Sequence, residues 1–288
     1  MSDPLSVVVD GGLYDALALA VLWGSGIQVD QVIATEGSVS RSVTARATHR
    51  WMATLGATAP VLLGADRGVQ SRYPAGRDPF HGLDAFGGSL SALTDAPDPQ
   101  QLWGELQGTV LCTGALTVVA EALRRTHPVE EVVWMGGAVG SGGNMTAAAE
   151  FNAWMDPVAA DEVLTSGVSV RMVPLDITSR FIWGNDEITA LRDSGQTAGL
   201  IADAIGAVLR RDGQFIPHDA VATVALLEPG LFYWSKRAVR CERDGELTAG
   251  ATVVDRRQRA GSGPVAVADD VDLSLLNERI LTAVSRLE

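Results

Sequence analysis

The sequence predicts an α/β protein with an open, mostly parallel sheet and helices on both faces. Short apolar runs rich in Val and Ile alternate with segments of helical periodicity, an order typical of parallel strands joined by crossover helices. The apolar runs are continuous rather than alternating with polar residues, which indicates strands buried on both faces. No linker-like change of composition and no internal repeat divides the 288 residues, so we expect a single domain over residues 1–288.

The first two thirds of the chain supply the expected sheet and its first helices. The strand candidates are residues 7–9, 32–34, 61–63, 110–112, 132–135 and 168–175. The helix candidates between them are residues 15–22, 38–55, 117–125 and 156–165. The last of these helices has a favourable start, because Asp156 is a good N-cap residue and Pro157 suits the first helical position.

The last third of the chain predicts more helices, two short strands and a helical tail. These helices are expected at residues 198–211 and 218–227, and the strands at 237–241 and 252–254. Apolar residues then recur at helical spacing from Leu273 to Leu287, which predicts a C-terminal helix. Residues 64–100 and 136–149 are rich in Gly, Pro, Ser and Asp and are expected to be loops.

Composition excludes several classes of function. The chain has 22 Lys and Arg against 35 Asp and Glu, a net charge of −13, which argues against a nucleic-acid partner. Lys236 is the only lysine, so Schiff-base chemistry and a Walker-A phosphate site are disfavoured. Two cysteines, Cys112 and Cys241, make no disulfide framework. With no apolar run of about 18 residues and no basic leader, we expect a cytoplasmic protein without a membrane span.

Acidic residues follow the expected strands and begin a later helix. Asp10 comes directly after the first strand, Asp15 follows across a glycine turn, and Asp219 lies beside His218 at a helix start. Ligands of open α/β sheets bind at the carboxyl ends of strands, and three carboxylates suit Ca²⁺ better than zinc. Simpler structural roles stay open at this point, because Asp10 could be a turn residue and His218 and Asp219 could cap a helix.

Six motifs in the same order resemble the inosine–uridine nucleoside hydrolase family. The first, Val8-Val9-Asp10-Gly11-Gly12-Leu13-Tyr14-Asp15-Ala16, is similar to the family's Asp-x-Asp-Pro-Gly-x-Asp-Asp-Ala. The second and third are residues 81–88 and 114–117. The fourth joins residues 135–137, 144, 149–152 and 156–157. The fifth is 218–220, and the sixth joins 245–248 with 252–257. Each motif alone is weak, whereas their order over nearly the whole chain is specific.

The resemblance implies a nucleoside hydrolase-like fold with a Rossmann-like core. It also implies an enzyme that uses Ca²⁺ to hydrolyse the N-glycosidic bond of a ribonucleoside or a related N-glycoside. A metal-bound water, activated by Asp10, would release free base and ribose in purine or pyrimidine salvage. Relatives of this kind are usually homodimers or homotetramers, so a homo-oligomer is expected, with a small nucleoside as its partner.

The resemblance further assigns roles to individual residues. The metal would be held by the carboxylates of Asp10, Asp15 and Asp219 and by the backbone carbonyl of Thr117. His218 would assist departure of the base. The residues expected to bind substrate are Tyr14, Ser38, His81, Asn144, Glu150, Phe151 and Asn152.

The first motif departs from the family pattern at two acids. Val8 and Tyr14 stand where the family has Asp, and the second of those carboxylates contacts the ribose 2′-hydroxyl in the family. Tyr14 therefore allows three interpretations: a neutral structural change, an altered specificity, or weakened hydrolysis. A non-catalytic protein that binds a nucleoside or sugar is the rival hypothesis. A nucleotide-dependent oxidoreductase is a third, and the missing glycine fingerprint counts against it.

Overall fold

The computed structural model describes residues 4–66, 85–86, 92–257 and 264–287, and its strands form two sheets. The strands are β1 (Leu5–Val9), β2 (Gln31–Ala34), β3 (Val61–Leu63), β4 (Gly108–Cys112), β5 (Val129–Met135), β6 (Ser169–Val173), β7 (Phe232–Arg237), β8 (Val239–Cys241), β9 (Thr252–Val254) and β10 (Val265–Val271). The larger sheet has eight strands in the order β3-β2-β1-β4-β5-β6-β10-β7. All its neighbours pair in parallel except β7, which is antiparallel to β10. The expected mostly parallel sheet is confirmed.

Helices connect most of the parallel strands. They are α1 (Leu13–Gly24), α2 (Arg41–Thr54), α3 (Thr117–Arg124), α4 (Phe151–Met155), α5 (Pro157–Thr165), α6 (Leu175–Thr178), α7 (Asn185–Asp193), α8 (Gln196–Asp212), α9 (His218–Leu227) and α10 (Leu273–Val284). The sequence did not predict α4, α6, α7, β7 or β10, and the strand expected at 237–241 is shorter, namely β8. Within the described residues, none of the helices combines the length and apolar character that a membrane span needs. The single-domain organisation stays a prediction.

The sheet is covered on both faces, as its continuous apolar strands require. Along β1, Val7 and Val9 belong to one core cluster and Val8 to a second, because successive side chains point to opposite faces. The first cluster includes residues of α1, α2, α8, α9 and α10, and the second includes residues of α3 and α5. The prediction of helices on both faces is therefore confirmed.

The order of the strands reverses between β1 and β4. From β1 the chain continues outward through β2 to β3, and it returns to pair β4 with the other side of β1. In the β1–β4 ladder Val8 lies opposite Cys112, so Asp10 and Thr113 follow two adjacent strands at the same edge. Crevices at such a switch point are where open α/β sheets bind ligands.

A buried carboxylate of α5 binds the small hairpin of β8 and β9. Asp161 of α5 has a fully buried side chain and accepts hydrogen bonds from Arg240 Nε at 2.6 Å, Arg243 Nε at 2.8 Å and the Cys241 backbone N–H at 3.1 Å. We call these four residues the Asp161 clamp. Their bonds hold the hairpin to α5 through charge-assisted contacts.

Candidate active site

Asp10 lies at the switch point, enclosed by main chain from neighbouring strand ends. Its own carbonyl accepts a hydrogen bond from the Thr44 hydroxyl at 3.0 Å. Gly37, after β2, and Gly114, after β4, pass so close that side chains there would collide with Asp10. A Cβ on Gly37 would overlap the Asp10 Oδ2, and one on Gly114 would lie 2.7 Å from the Asp10 Cβ. Glycine is therefore required at both positions to leave room for the carboxylate.

Asp15, in the first turn of α1, is buried beside Asp10. Its Oδ2 accepts the Gly11 N–H at 2.8 Å, and its Oδ1 accepts the Thr113 hydroxyl at 2.5 Å. Burial raises the pKa of Asp15 to about 6, although these bonds and hydrogen bonds with Asp10 act in the opposite direction. The sequence did not single out Thr113, yet it follows β4 just as Asp10 follows β1.

Asp219, in the first turn of α9, completes a group of buried acids. Burial and the negative charges of Asp15, Asp10 and Glu150 raise the pKa of Asp219 well above its usual range. All four carboxylates are buried. We call Asp10, Asp15, Asp219 and Glu150 the acid cluster. The negative charges of the other three members act on Asp219, so the cluster favours a cation or a cationic transition state.

Glu150 is held almost entirely by backbone amides. Its carboxylate accepts from the Gly137 N–H at 2.7 Å, the Asn152 N–H at 2.9 Å and the Ala153 N–H at 3.1 Å. It is thus the N-cap of α4 and also anchors the glycine turn after β5. Asn144 satisfies another amide of the same helix start, because its Oδ1 accepts from Phe151 N–H at 2.9 Å.

Replacement of Glu150 by Gln is therefore expected to destabilise the fold. Glutamine has one acceptor oxygen, and its NH₂ group would face a backbone donor. The loss should be about 1–3 kcal/mol, which lowers the melting temperature by on the order of 5 °C. Thermal unfolding measures it, with the exposed Glu246→Gln as the matched control. Equal melting temperatures for both variants would contradict this role of Glu150.

Asn152 presents a buried acceptor toward the same region. Its Nδ2 donates to the carbonyls of Thr113 at 2.9 Å and Met135 at 3.0 Å, which fixes the amide. Its Oδ1 is buried and has no hydrogen-bond partner in the part of the chain that the structure describes. Buried polar atoms are rarely left unpaired. The Asn152 oxygen is accordingly suited to receive a hydroxyl donor from a ligand.

His218 begins α9 and packs against the ring of Tyr14, which in turn stacks on Phe215. Its Nδ1 lies 2.7 Å from the Thr178 hydroxyl. Tyr14 meets the His218 ring edge-on at 5.7 Å and stacks on Phe215 at 5.0 Å between ring centroids. Burial lowers the pKa of His218 to about 4, so the imidazole is neutral near pH 7. Tyr14, in the first turn of α1, thus contacts both His218 and Phe215.

Thr117 is the expected backbone ligand, and within the described residues its recorded side-chain contact is with Asp156 rather than with the acid cluster. It begins α3, and its hydroxyl donates to Asp156 at 2.8 Å. Its carbonyl lies in the first helical turn and points along the helix toward the amide four residues on. Thr113 instead contacts Asp15. Because a carbonyl oxygen has two lone pairs, the Thr113 carbonyl could still serve as a backbone ligand while it binds Asn152.

The remaining expected site residues have less defined surroundings. Ser38 is buried one residue beyond Gly37, the glycine that contacts Asp10. Phe151 is partly buried at the start of α4, beside Glu150. His81 lies outside the described residues.

The acid cluster matches a hard cation by its chemistry. Within residues 4–66, 85–86, 92–257 and 264–287, no three His, Cys, Asp or Glu side chains are arranged as a ready-made metal site. Asp10, Asp15 and Asp219 nevertheless interact electrostatically, and the groups beside them are oxygen donors of Thr113 and Asn152. Oxygen-only donors with excess negative charge are those that Ca²⁺ or Mg²⁺ prefers.

A doubly wound sheet with an acid-lined crevice at its switch point defines a ligand-binding α/β protein. The family model of the inosine–uridine preferring nucleoside hydrolases matches residues 7–278. The chain belongs to this family. It is accordingly an enzyme of the nucleoside hydrolase type, which hydrolyses the N-glycosidic bond of ribonucleosides.

Individual relatives agree with the family assignment. The non-specific ribonucleoside hydrolase RihC of Salmonella agona is 30 % identical over 303 residues, which cover 94 % of this chain and 95 % of the relative. Uridine nucleosidase 1 of Arabidopsis thaliana is 30 % identical over 245 residues, or 74 % of this chain and 72 % of the relative.

Solved structures share the fold at lower sequence identity. A plant nucleoside hydrolase superposes with a TM-score of 0.86 at 23 % identity and covers 99 % of both chains. A purine-preferring ribonucleoside hydrolase from Gardnerella vaginalis has a TM-score of 0.85 at 23 % identity, covering 99 % of this chain and 98 % of its own. The α/β fold is thus that of known nucleoside hydrolases.

Proposed function

We propose that this enzyme cleaves ribonucleosides, or related N-glycosides, with a Ca²⁺ ion at the acid cluster and Asp10 as the general base. The observation that carries the proposal is the mutual repulsion of buried carboxylates at the switch point, where burial and three neighbouring acids raise the pKa of Asp219. Hydrolysis of a glycosidic bond passes through an oxocarbenium-like transition state. A negative site stabilises the positive charge that develops on the sugar.

Asp10, Asp15 and Asp219 would hold the ion, with the Thr113 carbonyl as the backbone ligand. Calcium accepts six to eight oxygen ligands at about 2.3–2.6 Å, so it leaves positions for ribose hydroxyls and a water. When bound, the ion would lower the pKa of a water and orient the sugar. Asn144, Glu150 and Asn152 would bind further ribose hydroxyls, and Asn152 contributes its buried, unpaired Oδ1.

The proton transfers balance over the reaction. Asp10 takes one proton as the water oxygen forms its bond to the anomeric carbon. The carbon–nitrogen bond breaks with its electron pair on the base, and His218 donates a hydrogen bond that stabilises the negative charge there. The base then takes up one proton from solvent and Asp10 returns one proton to solvent, so the sum is one water consumed. Direct attack by water needs no covalent intermediate and inverts the anomeric carbon.

A panel of purine and pyrimidine nucleosides, with release of free sugar as the readout, tests the function directly. We expect release from at least one nucleoside in the presence of Ca²⁺. Release no greater than that of an Asp10→Ala variant would exclude catalysis by this site. Thermal stabilisation by a nucleoside without turnover would instead support the rival hypothesis of a binding protein. That hypothesis rests on Val8 and Tyr14, which stand where the family has Asp.

Calcium is expected to stabilise the protein after treatment with a chelator. A ligand that binds only the folded state at 100 times its dissociation constant contributes about 2.7 kcal/mol. Thermal unfolding with and without Ca²⁺ measures the effect. Equal concentrations of Mg²⁺ should stabilise less, because Mg²⁺ loses its waters reluctantly. An Asp219→Ala variant should lose the response, and an unchanged response there would contradict the proposed ligand set.

Tyr14 is proposed to set an unusual sugar preference. Its ring is stacked on Phe215 and lies edge-on to His218, whereas the family motif has a carboxylate at this position. Tyr14→Asp should raise kcat/KM for ribonucleosides about 10- to 100-fold, the value of a charge-assisted hydrogen bond to the 2′-hydroxyl. The control substrate is the corresponding 2′-deoxynucleoside, which lacks this hydroxyl, so Tyr14→Asp should not raise its kcat/KM. Equal changes for both sugars would contradict this role.

The cytoplasmic location, the homodimer or homotetramer and the role in nucleoside salvage stay predictions. The expectations of no nucleic-acid partner and no membrane partner rest on the net charge of −13 and on the absence of a long apolar run in the sequence.

A further inference from the structure

We infer that Thr178 is a positioning residue that keeps the hydrogen of the neutral His218 ring on Nε2, where it can serve the departing base. The inference rests on the proposed function, because it assigns a use to the His218 side chain. Thr178 ends α6, a helix of four residues that the sequence did not predict.

The hydrogen-bond requirements of the Thr178 hydroxyl select this tautomer. Thr178 is fully buried, and His218 Nδ1, at 2.7 Å, is the one partner recorded for its hydroxyl within the described part of the chain. If the hydroxyl donates to Nδ1, its hydrogen is satisfied and the ring carries its own hydrogen on Nε2. If Nδ1 donates instead, a buried hydroxyl hydrogen is left without an acceptor, which is the costlier arrangement.

The helix that carries Thr178 is fixed on a second side. The Asp176 carboxylate accepts from the Val139 N–H and the Ser141 N–H, each at 2.8 Å. These bonds attach α6 to the glycine-rich loop after β5. Pro174 precedes the helix in extended conformation and accepts the Thr178 N–H at 3.2 Å. The Thr178 hydroxyl therefore has a defined position against the imidazole.

The tautomer decides whether His218 helps or hinders departure of the base. As the glycosidic bond breaks, an electron pair and partial negative charge accumulate on the ring atoms of the base. An Nε2–H stabilises that charge by hydrogen bonding. A bare Nε2 lone pair would repel it. Nδ1 is bonded to Thr178, so Nε2 is the ring nitrogen that remains for the substrate.

Nitrogen NMR of the His218 ring tests the tautomer independently of turnover. The chain has four histidines, so a His218→Gln variant identifies the signal. We expect the wild-type ring to carry its hydrogen on Nε2, the Thr178→Ser variant to match it, and the Thr178→Val variant to lose the hydrogen bond at Nδ1. A wild-type ring with its hydrogen on Nδ1 would overturn the inference.

Kinetics of the same variants test the consequence. Thr178→Val should lower kcat/KM for nucleosides about tenfold or more, and Thr178→Ser should restore it. With para-nitrophenyl riboside, whose leaving group departs without a proton, Thr178→Val should act like the wild type. Equal losses on both substrates, or no loss on nucleosides, would contradict a positioning role. If the wild type cleaved neither substrate, the proposed function would fail, and the NMR result would still decide the tautomer.

Discussion

Replacing Asp10 by Asn is expected to abolish most activity while making the metal-free protein more stable. The variant keeps the shape of the side chain among Gly37 and Gly114 but removes the charge that accepts a proton. Loss of a positioned general base lowers kcat by about 10²–10⁴-fold. It also removes one of the buried carboxylates that raise the pKa of Asp219, so repulsion within the cluster falls.

Two measurements separate these effects. The first is the rate of sugar release from a nucleoside, and the second is the melting temperature in the presence of a chelator. Asp98→Asn is the control, because Asp98 forms an exposed ion pair with Arg46 outside the site. It should change neither quantity appreciably. An Asp10→Asn variant that is both inactive and less stable without metal would show that Asp10 supports the fold rather than the chemistry.

Replacing Asp161 by Asn is expected to cause the largest loss of stability. The substitution removes the charge shared by Arg240 and Arg243 and weakens the bond to the buried Cys241 N–H. Both arginines are partly exposed and can return to water. The free energy of unfolding should therefore fall by about 2–4 kcal/mol, near the lower end of the range for a broken buried ion pair. The melting temperature should fall by on the order of 10 °C.

The same clamp predicts a dependence of stability on pH. Burial opposes the charge of Asp161, but bonds from Arg240, the Cys241 N–H and Arg243 outweigh it and lower the pKa. Because the pKa of Asp161 is lower in the folded protein, its charge stabilises the fold at pH values above the pKa in the unfolded chain, which is about 4. This stabilisation is lost as the pH falls through the pKa of the folded state. Denaturant unfolding at pH 7 and pH 3 should show a smaller gap between wild type and Asp161→Asn at pH 3. A gap that grows in acid would contradict the clamp.

The sequence was sufficient to predict the parallel sheet and the acids of the site. Asp10 and Asp15 follow the apolar run of residues 7–9, and Asp219 follows His218 at a helix start. Local sequence patterns are enough to find these residues, given the rule that open α/β sheets bind ligands at the carboxyl ends of their strands. The switch point between β1 and β4 could not be predicted, because strand order depends on long-range pairing.

The features that the sequence did not reveal have a related origin. Thr113 and Thr117 lie in one short motif, and only the pairing of β4 with β1 decides which one contacts Asp15. Strand β10 contains Asp269 and Asp270, so only a short apolar run before them marks this strand in the sequence. The four-residue α6 is too short for periodicity to reveal. Thr178 consequently gave no sign in the sequence that it would meet His218.

The close approach of Gly37 and Gly114 to Asp10 also has a consequence for enzyme engineering. Both glycines belong to backbone that would collide with its neighbours if a side chain were added, so these positions tolerate almost no variation. Tyr14 and Phe215 approach the site through side chains and can be exchanged without moving a strand end. A library of variants aimed at new sugars or bases should keep both glycines and vary Tyr14 and Phe215, where substitutions leave the backbone in place.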